Sequence, residues 1–104
     1  MAYDELRTSL IELSSLLDDV AETHWAAWAS QTAAQLADDS IGPDVVRRAF
    51  GGSGTLNDLV IHPLNGHRVD GSSLDSVNTR LRRLTTRLYS LSVVGDRDTD
   101  EHVS

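Results

Sequence analysis

Two runs of aliphatic residues, one near each end of the chain, decide what it can fold into. Leu6, Leu10, Leu13, Leu17 and Val20 recur at spacings of 4, 3, 4 and 3. That pattern puts all five on one face of an α-helix and on no single face of a β-strand. Leu74, Val77, Leu81, Leu84, Leu88, Leu91 and Val94 follow at 3, 4, 3, 4, 3 and 3, a second seam of the same kind. A seam of this width is buried against a neighbouring helix, so the two are natural packing partners. Asp4 and Glu5 sit where a helix N-terminus favours negative charge, and Ile11 and Leu16 are expected to widen the first stripe. Ser72 or Ser73 is the expected N-cap of the last helix, with Asp75 and Ser76 in its first turn, and Gly95 is its expected end.

Between the seams, residues 22–39 are rich in alanine and contain neither Gly nor Pro, which predicts a second helix. Trp25, Ala29 and Leu36 share a face of it, with Trp28 beside them, and core placement is expected for both tryptophans. No helix breaker separates this helix from the first. A break near Ala21 is expected, and one continuous helix over 4–39 is the alternative. Gly42 then ends the second helix, Pro43 suits the first turn of a short third one over 44–50, and Gly51 stops it. The predicted fold is all-α, a compact bundle of three long helices and one short one, with a Gly-rich central loop. Residues 1–95 form the single domain, and 96–104 are expected to be a flexible acidic tail.

Composition removes several functions. Cysteine is absent, and with it every disulfide, thiolate nucleophile and thiolate metal ligand. All nine basic residues are arginine, so neither lysine Schiff-base chemistry nor a P-loop lysine is available. A net charge of −7 opposes general phosphate attraction, and no nucleic-acid partner is expected. No apolar run reaches the roughly 18 to 20 residues of a membrane span, and the acidic N-terminus is unlike a secretory signal. A cytoplasmic protein is the expectation. The charge is unevenly spread: residues 1–40 carry eight acids and one arginine, whereas residues 71–95 carry Arg80, Arg82, Arg83 and Arg87 against Asp75. Acidic helix one beside basic helix four is therefore expected to be electrostatically complementary.

Five of the seven glycines fall between Ala49 and Gly71, in AFGGSGTLNDLVIHPLNGHRVDG. Glycines ahead of a helix can cradle phosphate, but neither a Walker A nor a dinucleotide fingerprint is met. The reading favoured here is structural: Gly51 and Gly52 stop the third helix, Gly54 turns the chain, and Thr55 caps a short turn with Asp58 three residues on. Leu59, Val60 and Ile61 favour a strand, and Asn65-Gly66 is a hairpin turn signal, so a small β-hairpin over 59–69 is expected, docked through Leu59, Ile61, Leu64 and Val69. His62 and His67, with His24, Asp58 or Asp70, are candidates for a metal site, but their spacing matches no zinc pattern, and no metal or other cofactor is expected. Asp58, His62 and Ser53 are residue types suited to acid–base or nucleophilic work, yet no nucleophile elbow surrounds them. No catalytic residue is assigned, and no enzymatic activity is expected.

The segment FGGSGTLNDLVIHPLNGH, between a tryptophan-bearing helix and an arginine- and leucine-rich one, resembles a family of small bacterial proteins of unknown function. That family's motif is F-G-G-x-G-[ST]-L-N-D-L-V. The resemblance spans residues 4–94, with its specific part at Phe50–His67, and implies no activity. By type, small acidic proteins of this build include immunity proteins, which block a cognate bacterial toxin. The expected function is therefore that of an immunity (antitoxin) protein, whose acidic surface and central loop plug a toxin's active site by charge complementarity. The expected contacts are Asp18, Asp19, Glu22, Asp38 and Asp39, with Asn57, Asp58, His62 and Asn65 from the loop. The alternative is a small-ligand or metal-binding protein built on residues 51–70.

Overall fold

The computed structural model describes residues 3–38, 40–50, 56 and 59–103. It is an all-α bundle of four helices: α1 (Asp4–Asp19), α2 (Thr23–Ala37), α3 (Pro43–Arg48) and α4 (Leu74–Val103). α1 packs against both α2 and α4, and α3 lies along α4. Leu6, Leu10, Leu13, Leu17 and Val20 from α1 and its end are all buried, as are Leu81, Leu84 and Leu88 from α4. The seams are the core. Leu16 joins them, but Ile11 is 55% exposed, because it follows Leu10 by one residue and so points well away from the seam.

α2 meets α1 through small side chains. Ala26, Ala29, Ala33 and Leu36 recur at helical spacing and are buried, and Ser14 Oγ donates across the interface to the Ala26 carbonyl at 3.0 Å. Trp25 and Trp28 flank this face half-buried against the core, edge to face with ring centroids 5.4 Å apart.

The chain does break near Ala21, and the single-helix alternative is excluded. Ala21 has φ +62°, Glu22 N–H donates to Leu17 C=O at 2.8 Å, and Ala21 N–H donates to Asp18 C=O at 3.1 Å. This pairing is a Schellman motif with alanine where glycine is usual, which is why no breaker is visible. The next turn begins at once, since the Glu22 carboxylate accepts from Trp25 N–H at 3.0 Å and caps α2. Farther on, Gly42 caps α3 rather than ending α2, and Pro43 holds its first position.

Two further expectations are corrected. The described residues contain no strand, so the hairpin is absent. Ile61 N–H donates to Asn78 Oδ1 at 2.8 Å, and Asn78 Nδ2 donates back to Ile61 C=O at 2.9 Å. An α4 side chain thus occupies the groups that a second strand would need. Nor does α4 stop at Gly95; it continues to Val103. An interior glycine costs a helix about 1 kcal/mol without removing a hydrogen bond, and no proline follows it. The proposed stops and caps at Gly51–Thr55 lie outside the described residues.

Candidate functional site

The central connector is held at three points. Asn78 pins Ile61, which is fully buried. Arg68 N–H donates to Val20 C=O at 2.7 Å, taking up a carbonyl left free at the end of α1. Between them, His67 is locked on both ring nitrogens. His62 N–H donates to His67 Nδ1 at 3.1 Å, so the ring proton sits on Nε2, 3.3 Å from Glu22 Oε1. The Glu22 carboxylate therefore serves the α2 cap and the connector together.

Within this frame residues 62–66 make a tight, self-supporting tip. Pro63–Asn65 is one 3-10 turn, capped by His62 Nδ1, which accepts from Leu64 N–H at 3.0 Å. Asn65 Nδ2 donates to Val60 C=O at 3.3 Å, and Gly66 closes the turn at φ +83°, a conformation that suits glycine. The docking expected for Leu64 is not found. The turn puts its side chain outward and 89% exposed, beside Asn65. The tip shares one end of the molecule with Asp18 and Asp19, both exposed, through the Arg68–Val20 and His67–Glu22 bonds.

A second feature runs along α4. A groove of about 600 Å³ lies between α4, Phe50 at the end of α3, and Leu56, Leu59 and Val60. Its α4 wall carries Arg82, Thr85, Thr86 and Tyr89, and Phe50 meets Tyr89 edge to face with ring centroids 5.5 Å apart. A shallower depression adjoins it, formed by Thr79, Arg83 and Arg87 together with Arg82 and Thr86. Arg80, Arg82, Arg83 and Arg87 are all exposed, and none has an ion-pair partner among the described residues. The complementarity expected between α1 and α4 is therefore not made by direct pairs. The seam is buried, and the arginines off it face solvent.

The structure brings some of the expected contact residues together and separates others. Asp18, Asp19, Glu22, His62 and Asn65 share one end of the bundle. Asp38 caps the far end of α2, about 22 Å away for a 15-residue helix. Glu22 is occupied internally. Asp39, Asn57 and Asp58, and with them Ser53, lie outside the described residues. Both nitrogens of His67 and Nδ1 of His62 are taken by the chain, and among the described residues no three His, Asp or Glu side chains are placed to hold a metal ion.

Sequence reasoning docked Leu64 on the bundle, counted Arg82 only among the charges of the last helix, and missed Asn78. Leu64 had a signal, an apolar residue between Pro63 and Asn65-Gly66. So had Asn78, a polar residue four positions after Leu74 and three before Leu81, on the apolar side of α4. Among the described residues no helix is long and apolar enough to cross a membrane.

Residues 18–70 match a domain of unknown function, DUF6966, and the chain belongs to that family. No curated protein and no solved structure matches it. The matched region runs from the end of α1 through the 62–66 tip, and so includes the Schellman turn, Glu22 and His67.

Proposed function

For this DUF6966 chain we propose an immunity-type role: it binds a cognate bacterial protein toxin and blocks it by occupying its active site. The observation that supports this reading is the pre-ordered tip at residues 62–66. It holds Leu64 out to solvent beside exposed Asn65, at the end that also carries Asp18 and Asp19. A rigid apolar anchor inside a polar, acidic rim has the anatomy of a protein-binding surface. Because the tip is already ordered, little conformational entropy is lost on docking. The acids favour a basic cleft, of the kind that takes anionic substrates, and would speed encounter with it. The contact set is Asp18, Asp19, His62, Leu64 and Asn65, and the protein acts by occupancy rather than turnover.

The test is to co-express this chain with the product of the gene immediately upstream. The expected result is a product that is toxic alone, harmless with this chain, and recovered with it as a stable complex. Leu64→Asp should weaken that complex at least about tenfold without lowering the Tm of the free protein, since the side chain is exposed. A harmless neighbour that does not co-purify would overturn the immunity role. A complex indifferent to Leu64→Asp would retain the role and overturn the tip as its surface.

A further inference from the structure

We propose that the groove along α4 binds a small amphiphilic anion, a carboxylate carried on an apolar chain. This site uses different residues from the toxin-binding tip and does not depend on that reading. Its volume of about 600 Å³ lies within the roughly 300–1,000 Å³ usual for small-molecule sites. It follows α4 from Asn78 to Ser90, about 18 Å of helix, so it is a trough for an elongated ligand rather than a cup for a compact one.

The lining divides by chemistry. Leu56, Leu59, Val60 and Phe50 face the Tyr89 ring of α4 as the apolar part, and Val60 and Tyr89 remain 54% and 46% exposed. Large apolar side chains are left wet in a concave place, which an apolar chain would dry. On the α4 side the charged group is the Arg82 guanidinium, without an ion-pair partner among the described residues. Arg83 and Arg87 add to the positive potential at this edge, in a chain whose net charge is −7. On the facing helix, Asp44 is already paired with Arg48 at 3.1 Å.

The remaining polar groups narrow the pose. Asn78 is committed to Ile61 and Leu74, and Thr85 Oγ1 donates to Arg82 C=O at 3.1 Å. Those two build the wall. Arg82 is left as the charged group for the ligand, with the Thr86, Ser90 and Tyr89 hydroxyls along the same helix. A guanidinium takes a carboxylate through two parallel N–H···O bonds, so the head group sits at Arg82 and the chain lies against Leu59, Val60 and Tyr89.

The experiment titrates the full-length protein with sodium decanoate below its micellar concentration. 1-Decanol serves as the uncharged control and decyltrimethylammonium as the cationic one. Saturable one-to-one binding of decanoate is expected, with a rise in Tm, affinity at least about tenfold above decanol, and none for the cation. Val60 and Tyr89 NMR resonances should move on binding. Arg82→Gln, an exposed substitution that leaves Tm unchanged, should weaken decanoate about tenfold and leave decanol alone. Absence of saturable binding overturns the site. So does equal affinity for decanoate and decanol, an unaffected Arg82→Gln variant, or binding that perturbs only resonances outside the groove.

Discussion

Asn78 takes both main-chain groups of Ile61 and also donates to Leu74 C=O at 3.0 Å. Ile61 is fully buried, so without Asn78 its N–H and C=O would be stranded away from water. Each such group costs about 1–3 kcal/mol. Asn78→Ala should therefore lower the stability of the protein by about 2–4 kcal/mol, read from urea unfolding. Asn78→Asp should be no better, since a carboxylate accepts from Ile61 N–H but has nothing to donate to the two carbonyls. An Asp variant as stable as the native chain would show that the pairing with Ile61 is incidental. The same residue explains why the hairpin expectation failed. Val60-Ile61 and Asn65-Gly66 are good local signals, but the partner that decides the backbone's fate lies 17 residues beyond Ile61 on another element. His67 is similar, because its partner Glu22 is 45 residues away. Residue types marked this connector as unusual, and only the assembled bundle shows what each one does.

The helices themselves were legible because their signal is periodic and repeated. A seam of five or seven residues outweighs one misjudged neighbour, as Ile11 shows, and the helix starts fell close to those found, whereas the ends expected at Gly42 and Gly95 did not. The α1–α2 junction was harder to see, since its left-handed residue is an alanine. Ala21 sits at the C′ position of a complete Schellman motif with φ +62°, where a Cβ costs roughly 1–2 kcal/mol. Ala21→Gly removes that cost and loses part of the gain to the greater freedom of the unfolded chain, about 0.4–1 kcal/mol. A net gain of up to about 1 kcal/mol is expected, seen as a higher urea midpoint with an unchanged slope. Ala21→Val should move the midpoint the other way, because a β-branched residue tolerates positive φ least. A glycine variant less stable than the native chain would mean that the junction does not hold this geometry in solution. The junction also matters to the candidate site. It aims Glu22 at both the α2 cap and His67, and Val20 C=O at Arg68, so loosening it should loosen the tip that displays Leu64.

On the scale of the whole molecule, the helices differ in length more than a simple bundle requires. α1 and α2, of 16 and 15 residues, are about 24 and 22 Å long, whereas α4, of 30 residues, is about 45 Å. The molecule measures 50 by 23 by 21 Å, so its long axis is close to the length of α4 alone. Among the α4 residues whose side chains are described, Leu81, Leu84, Leu88 and Ser92 are buried, and residues 74–92 make about 28 Å of helix, enough to line the whole of α1. α4 is thus about 20 Å longer than α1. The sequence of residues 96–104, DRDTDEHVS, has Val103 as its one apolar residue, so it offers little to bury, and a helical segment of so few residues is marginal without tertiary contacts. Deleting residues 96–104 should accordingly cost less than about 1 kcal/mol, a Tm change under about 4 °C for a domain of this size. It should leave both candidate surfaces untouched, with decanoate binding and toxin capture at native affinity. A larger fall in Tm would show that the end of α4 packs back on the bundle. A loss of either binding activity with Tm preserved would make that end part of the surface concerned, and the acids it carries would then have to enter the account of charge.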